Sequence, residues 1–175
     1  MSAENPAATQ KSKPQTPADK TDAPRRARRD SVTLLETDDF VCIRPETTLS
    51  EAIEEMKKDE GGCAIVCDDG GQVVGIFTER DLLNKILGRD VDINSPVGPW
   101  MSTTVETLTD EATIGDAVRV MDEKSYRNIP LVKDGQLIGS ISVFDIITYL
   151  AESYPKETMN LPPVPAQVMD TPEGG

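Results

Sequence analysis

The chain predicts a mixed α/β (α+β) fold built from one β-α-β-β-α unit used twice. Three observations carry that prediction. The stretch 48–87 recurs at 113–150 with an offset of about 65 positions that drifts by one near the middle. In each copy two segments place apolar residues at helical spacing, while the intervening runs are almost continuously apolar. Asp-Gly turns separate the paired strand-like runs. One copy alone buries too little apolar surface to fold well. The copies are therefore expected to pack as a pseudo-twofold pair with a shared cleft.

Each copy opens on a short extended run, Phe40–Ile43 in the first and Val105–Leu108 in the second, ended by Pro45 and Asp110. A helix follows, opened by Thr48 or Thr113. Its apolar face is Leu49, Ala52, Ile53 and Met56 in one copy, and Ile114, Ala117, Val118 and Met121 in the other. Two strands come next. Cys63–Cys67 and Val73–Phe77 are joined by Asp68–Gly71, and Ile129–Val132 and Leu137–Ile141 by Lys133–Gly135. Asp and Gly tolerate the positive φ that tight hairpins need. The closing helix starts at Thr78 or Ser142 and carries Leu82, Leu83, Ile86 and Leu87, or Ile146, Ile147 and Leu150. Strands this apolar imply helices over the sheet.

The units are repeat 1 at 36–92 and repeat 2 at 97–152, with a polar link over 88–99 and Trp100-Met101 as an anchor restarting the fold. Residues 1–31 have almost no large apolar side chain and read as a disordered N-terminal arm. Its end, Arg25–Arg29, reads as a solvated charge run, with an anionic partner or a basophilic kinase site at Ser31 as the alternative. Residues 155–175 form a Pro-rich tail whose piece Met159–Pro165 could strap across the domain.

Bulk properties exclude several function classes. The formal net charge is −13, and residues 36–154 hold 24 acidic against 10 basic groups. Such a body is a poor nucleic-acid binder, because phosphate contacts dominate that affinity. No run of eighteen apolar residues spans a membrane, and no secretory h-region opens the chain. There is no His, and Cys42, Cys63 and Cys67 lie in apolar runs. They read as small buried hydrophobes in a reducing cytoplasm, against a metal site or a disulfide framework. Cys63 and Cys67 fall on one strand face, which alone makes no zinc site. No carboxylate forms a motif with a nucleophile or metal ligand, so an enzyme is not expected.

The candidate site is a motif repeated at the end of each copy, Gly-x-x-Thr/Ser-x-x-Asp: Gly75, Thr78, Asp81 and Gly139, Ser142, Asp145. The plain reading is a capping box, in which the hydroxyl satisfies an orphan helix N–H and the acid favours the positive helix end. The functional reading adds the glycine, which lets a ligand approach the backbone, and two helix starts facing one cleft. A carboxylate at that rim can accept both hydrogen bonds of a vicinal diol such as ribose.

These residues, with the repeated unit and Gly75–Asp81 (Gly-Ile-Phe-Thr-Glu-Arg-Asp), resemble a tandem pair of cystathionine-β-synthase (CBS) domains, a Bateman module, over about residues 36–152. The resemblance implies a regulatory module with no tightly bound cofactor. Its ligand would be adenosine-containing: AMP, ADP, ATP, NAD or S-adenosylmethionine, bound between the repeats. It also implies a homodimer and a separate effector protein. Carried over by position, Thr78 with Asp81 and Ser142 with Asp145 would hold ribose. Adenine would lie near Val41, Cys63 and Ala64 in one half and Val105, Asn128 and Ile129 in the other. Arg80 and Arg127 are the phosphate candidates, ahead of Lys124, because the guanidinium fork suits phosphate. Phe144 stands where the first copy has Arg80, and Gly62 where the second has Arg127, so the two sites cannot be equivalent. The acidic body favours AMP, ADP or an uncharged adenosyl group over ATP without Mg²⁺. The competing reading is a ligand-free dimerisation and interaction module, in which the acids only cap helices.

Overall fold

The computed structural model describes residues 23–59 and 61–155. The arm before residue 23 and the Met159–Pro165 strap lie outside them. After a short helix α1 (Ala23–Ala27), repeat 1 runs β1 (Val41–Ile43), α2 (Leu49–Lys58), β2 (Cys63–Cys67), β3 (Val73–Thr78) and α3 (Glu79–Asp81), which passes into a π-helical turn at Leu82–Ile86. Repeat 2 runs β4 (Leu108–Thr109), α4 (Ile114–Lys124), β5 (Asn128–Lys133), β6 (Gln136–Ser142) and α5 (Val143–Ser153). Each repeat makes its own three-stranded sheet, ordered β1-β2-β3 and β4-β5-β6, with the first pair parallel and the second antiparallel. The mixed α/β class and the duplicated unit are as the sequence implied.

Local chemistry sets the element starts. Thr48, Thr78, Thr113 and Ser142 each close a capping box with the acid three residues on: Glu51, Asp81, Asp116 and Asp145. Lys133 and Gln136 are joined by Asp134 and Gly135, both at positive φ, the geometry a two-residue hairpin needs. In the longer turn, Asp68 Oδ1 accepts from the N–H groups of Gly70 and Gln72. The helical faces differ from expectation at a few places. Val118, Leu83, Leu87 and Ile147 are exposed, because each helix packs on only one side.

The pairing axis is visible in the hydrogen bonds. Gln72 and Gln136, equivalent positions of the two copies, form an antiparallel bridge with one another, as a twofold relation requires. Around it, Leu137 N–H donates to Gly71 O, and Asn128 Nδ2 to Gly61 O at 3.0 Å.

The segment that leads into each repeat packs on the other repeat. Residues 28–32 lie across repeat 2: Ile114 N–H donates to Asp30 O, Gly115 N–H to Arg28 O, and Val32 N–H to Ala112 O. Residues 93–97 lie across repeat 1 with the same three bonds at equivalent positions: Leu49 to Ser95, Ser50 to Ile93, and Val97 to Thr47. Val32 therefore sits in the core with Ile114, Ala117 and Ile129, while Val97 sits with Leu49, Ala52 and Phe77. Both valines are fully buried. Residues 23–31, placed by composition in the arm, are thus a leader docked on repeat 2. Tyr149 and Tyr154 hydroxyls both donate to Asp30 Oδ2, at 2.8 and 2.9 Å, and tie that leader to α5.

Candidate functional site

A hollow of about 760 Å³ opens between the repeats. Its walls are the start of β2 (Gly61–Cys63), the end of β3 with α3 (Thr78–Asp81), the approach to β4 (Met101–Glu106) and the approach to β5 (Ser125–Asn128). It thus takes two loops and two helix-strand junctions from both copies.

Of the residues singled out by sequence, the structure brings Cys63, Thr78, Arg80, Asp81, Val105, Arg127 and Asn128 to this hollow. It does not bring Val41, Ala64, Ile129, Ser142 or Asp145. Ala64 and Ile129 are fully buried in the cores of repeats 1 and 2, and Val41 packs against the first of these cores. Strand alternation is the reason: Cys63 faces the hollow, so Ala64 faces the helices. Ser142 and Asp145 occupy the corresponding rim of repeat 2, where they cap α5.

The two rims differ in chemistry. Asp81 is buried, 7% exposed, and both its oxygens are engaged. Oδ2 accepts from the Thr78 N–H at 3.0 Å and the Thr78 hydroxyl at 2.7 Å. Oδ1 accepts from Lys85 Nζ at 2.8 Å and the Ser102 hydroxyl at 3.2 Å. Burial alone would push this carboxyl up, but the bonds from Lys85 and Thr78 outweigh it and hold it below its usual value. Asp145 receives the Ser142 N–H on Oδ2 at 2.6 Å, and its Oδ1 has no partner among the described residues.

Arg80 and Arg127 are exposed at the wall, and neither has an ion-pair partner among the described residues. Lys124, the weaker candidate, is paired with Glu106 at 3.5 Å. Gly62 lies at φ +65°, a left-handed position that accounts for repeat 1 having no arginine there.

The repeated glycines are points of close approach within the fold. A Cβ on Gly75 would meet the Met101 thioether, and one on Gly139 would fall 2.8 Å from Thr37 Oγ1 and 2.9 Å from Thr37 O. Met101 and Thr37, just after the crossing leaders, approach these backbones. Sequence reasoning also missed Tyr126, Ser102 and Lys85. Lys85 had a signal, since it follows Asp81 by one helical turn; Tyr126 had only its place beside Arg127. Cys42 is exposed, against expectation, because β1 is an edge strand; Cys63 and Cys67 are buried. Among the described residues no cluster of acids and cysteines could hold a metal, and no helix is long and apolar enough to cross a membrane.

A profile of the CBS domain matches this chain twice, at residues 32–88 and 96–152. The chain belongs to the CBS-domain family. The two matches make it a tandem CBS pair, the architecture of a regulatory module, and the first begins at the buried Val32. Among sequence relatives, an uncharacterised 17.7 kDa protein of Acidianus ambivalens is 34% identical over 122 residues, covering 69% of this chain and 73% of that one. The crystal structure of protein MJ1225 from Methanocaldococcus jannaschii, described as a candidate archaeal homologue of γ-AMPK, is similar to the CBS pair with a TM-score of 0.64 and 27% identity. That match covers 70% of this chain and 50% of the other. The cytosolic domain of the Mg²⁺ channel MgtE, solved in complex with ATP, shares the fold with a TM-score of 0.59 at 22% identity, over 74% of this chain and 52% of the other. The chain therefore spans about half the length of both solved chains.

Proposed function

We propose that the CBS pair binds an adenosine-containing ligand (AMP, ADP, ATP, NAD or S-adenosylmethionine) in the hollow at the Asp81 rim and signals to a separate effector protein. The observation that carries this reading is the junction of Thr78, Arg80 and Asp81 from repeat 1 with Val105, Arg127 and Asn128 from repeat 2 around one hollow. An acid and a hydroxyl suit a ribose diol, and two exposed guanidinium groups suit phosphate. The volume fits a nucleotide-sized ligand. The ATP complex of the MgtE domain and the likeness to a candidate γ-AMPK homologue support an adenine nucleotide.

The same geometry sets a condition. A carboxylate has about four acceptor positions, and Asp81 fills them with Thr78, Lys85 and Ser102. A diol must displace Lys85 or Ser102. Because Lys85 also donates to Trp100 O at 2.7 Å, that displacement reaches the leader of repeat 2 and gives the signal a route into the fold. Exposed Leu83, Leu87, Phe144 and Ile147 on the closing helices supply an apolar face for a second copy of the chain, in line with a homodimer.

The engaged Asp81 equally favours a second reading, a ligand-free dimerisation module in which the network is purely structural. A thermal-shift screen with the five ligands separates the two. A binder raises the melting temperature with ligand concentration by mass action, and Arg127→Ala weakens the effect. No shift with any of the five favours the ligand-free module.

A further inference from the structure

A carboxylate has about four acceptor positions, and the fold fills each of those on Asp81. The Thr78 N–H and hydroxyl occupy Oδ2 and belong to the capping box that opens α3. Oδ1 takes the Ser102 hydroxyl at 3.2 Å and Lys85 Nζ at 2.8 Å. A vicinal diol brings two O–H donors. With the cap intact, one can take the place of the Ser102 hydroxyl, and the second is left only that of the lysine. Lys85 Nζ is fixed from another side as well, donating to Trp100 O at 2.7 Å. It lies in the π-helical turn Leu82–Ile86, a form that α5 does not take over Val143–Ser153. The other rim has no such lysine: Tyr149 stands at the equivalent position and donates to Asp30.

We propose that Lys85 is a specificity-determining residue of this rim, a built-in competitor that the second hydroxyl of a ribose has to displace from Asp81. Resting on the ribose reading of the rim, this makes the site sensitive to the number of sugar hydroxyls. A 2′-deoxy ligand offers Asp81 one donor, replaces the neutral Ser102 hydroxyl and leaves the ion pair in place. A ribose ligand gains a second hydrogen bond to the carboxylate and gives up one with charge on both partners. Gain and loss nearly cancel, so the parent chain separates ribose from deoxyribose weakly. Removing the lysine frees the acceptor and lets the second hydroxyl count in full. The same change removes an ion pair, so the unliganded fold loses stability while ribose binding tightens. A lysine that only supported the carboxylate would move both in the same direction, since an acid without its support holds a ligand less well.

The test titrates AMP, ADP, ATP, NAD and S-adenosylmethionine calorimetrically into the full chain and into Lys85→Met, then repeats the tightest binder with its 2′-deoxyadenosine counterpart. Work at about pH 8, far above the ordinary carboxylate value, keeps Asp81 ionised on its Thr78 bonds when the lysine is gone. The parent chain should bind the ribose and 2′-deoxy forms within about threefold of each other. Lys85→Met should bind the ribose form about tenfold tighter than the parent does, because the competent state no longer has to be released. Its affinity for the 2′-deoxy form should change little, and without ligand it should melt at a lower temperature. Ser102→Ala, which leaves the lysine in place, should keep the two forms within about threefold. A strong ribose preference in the parent chain, ribose binding by Lys85→Met that is unchanged or weaker, or an equal gain for both forms would each overturn the competitor while the ligand reading stands. No heat with any of the five ligands in either chain would overturn that reading, and the competitor with it.

Discussion

The two rims of the CBS pair share a backbone and a capping box, yet they leave their acids in opposite states. One turn after Asp81 stands Lys85, which binds Asp81 Oδ1 and Trp100 O of the leader crossing repeat 1. The equivalent position after Asp145 is Tyr149, which turns away to Asp30 of the leader crossing repeat 2. Both residues hold a leader in place. Of the two, the lysine also engages the acid, alongside Ser102. Lys85 and Ser102 together therefore separate the two rims: Asp81 has both oxygens engaged, whereas Asp145 Oδ1 has no partner among the described residues, while the fold around them stays the same.

The comparison is sharpest where the copies should be equal. Val32→Ala and Val97→Ala should each cost about 2 kcal/mol, since each removes fully buried methyl groups from one core. The double variant should show near-additive loss in urea unfolding, because the two valines belong to separate cores. A negligible cost at Val32 would break the exchanged-leader description. Next in size, Gly139→Ala should cost about 1–3 kcal/mol, because its Cβ meets the Thr37 carbonyl as well as the side chain. Gly75→Ala should cost less, since the flexible Met101 side chain can move.

The smallest expected difference is at the acids. Asp145→Ala should lose a helix cap, about 1 kcal/mol. Asp81→Ala should lose somewhat more, because Lys85 and Ser102 lose their acceptor as well. The pH dependence follows from the lowered Asp81 value. Its contribution is present above the unfolded value of about 3.9 and is lost as pH falls through the folded value. Acid unfolding of Asp81→Asn should accordingly show a shallower fall in stability below about pH 4 than the parent chain. An unchanged slope would remove the Lys85 network from the account.

Much of this was legible in the sequence, for identifiable reasons. The capping residues Thr48, Thr78, Thr113 and Ser142 and the Asp-Gly turns act locally, so their chemistry reads directly from neighbours. The leader exchange was not legible. Val32, beside Leu34 and Leu35, and Val97, between Ile93 and Trp100, lie in short irregular stretches with no helical or strand period to mark them as core. Gly75 and Gly139 stood out as small residues, but what approaches a glycine is a tertiary fact. Ala64 and Ile129 lie in the cores and not on the hollow, and a strand apolar throughout does not say which alternate set faces the cleft. The site was legible to the extent that its residues follow the motif, and incomplete where Tyr126 and Ser102 reach it from loops.

The central claim is that ligand enters at the Asp81 rim. Isothermal titration of AMP, ADP, ATP, NAD and S-adenosylmethionine into the parent chain, Asp81→Ala, Arg127→Ala and Asp145→Ala tests it directly. The account predicts saturable heat for at least one ligand, weakened about tenfold or more by Asp81→Ala or Arg127→Ala and little changed by Asp145→Ala, since a charge-assisted bond is worth roughly 1.5–3 kcal/mol. No heat with any ligand, or loss confined to Asp145→Ala, would contradict it.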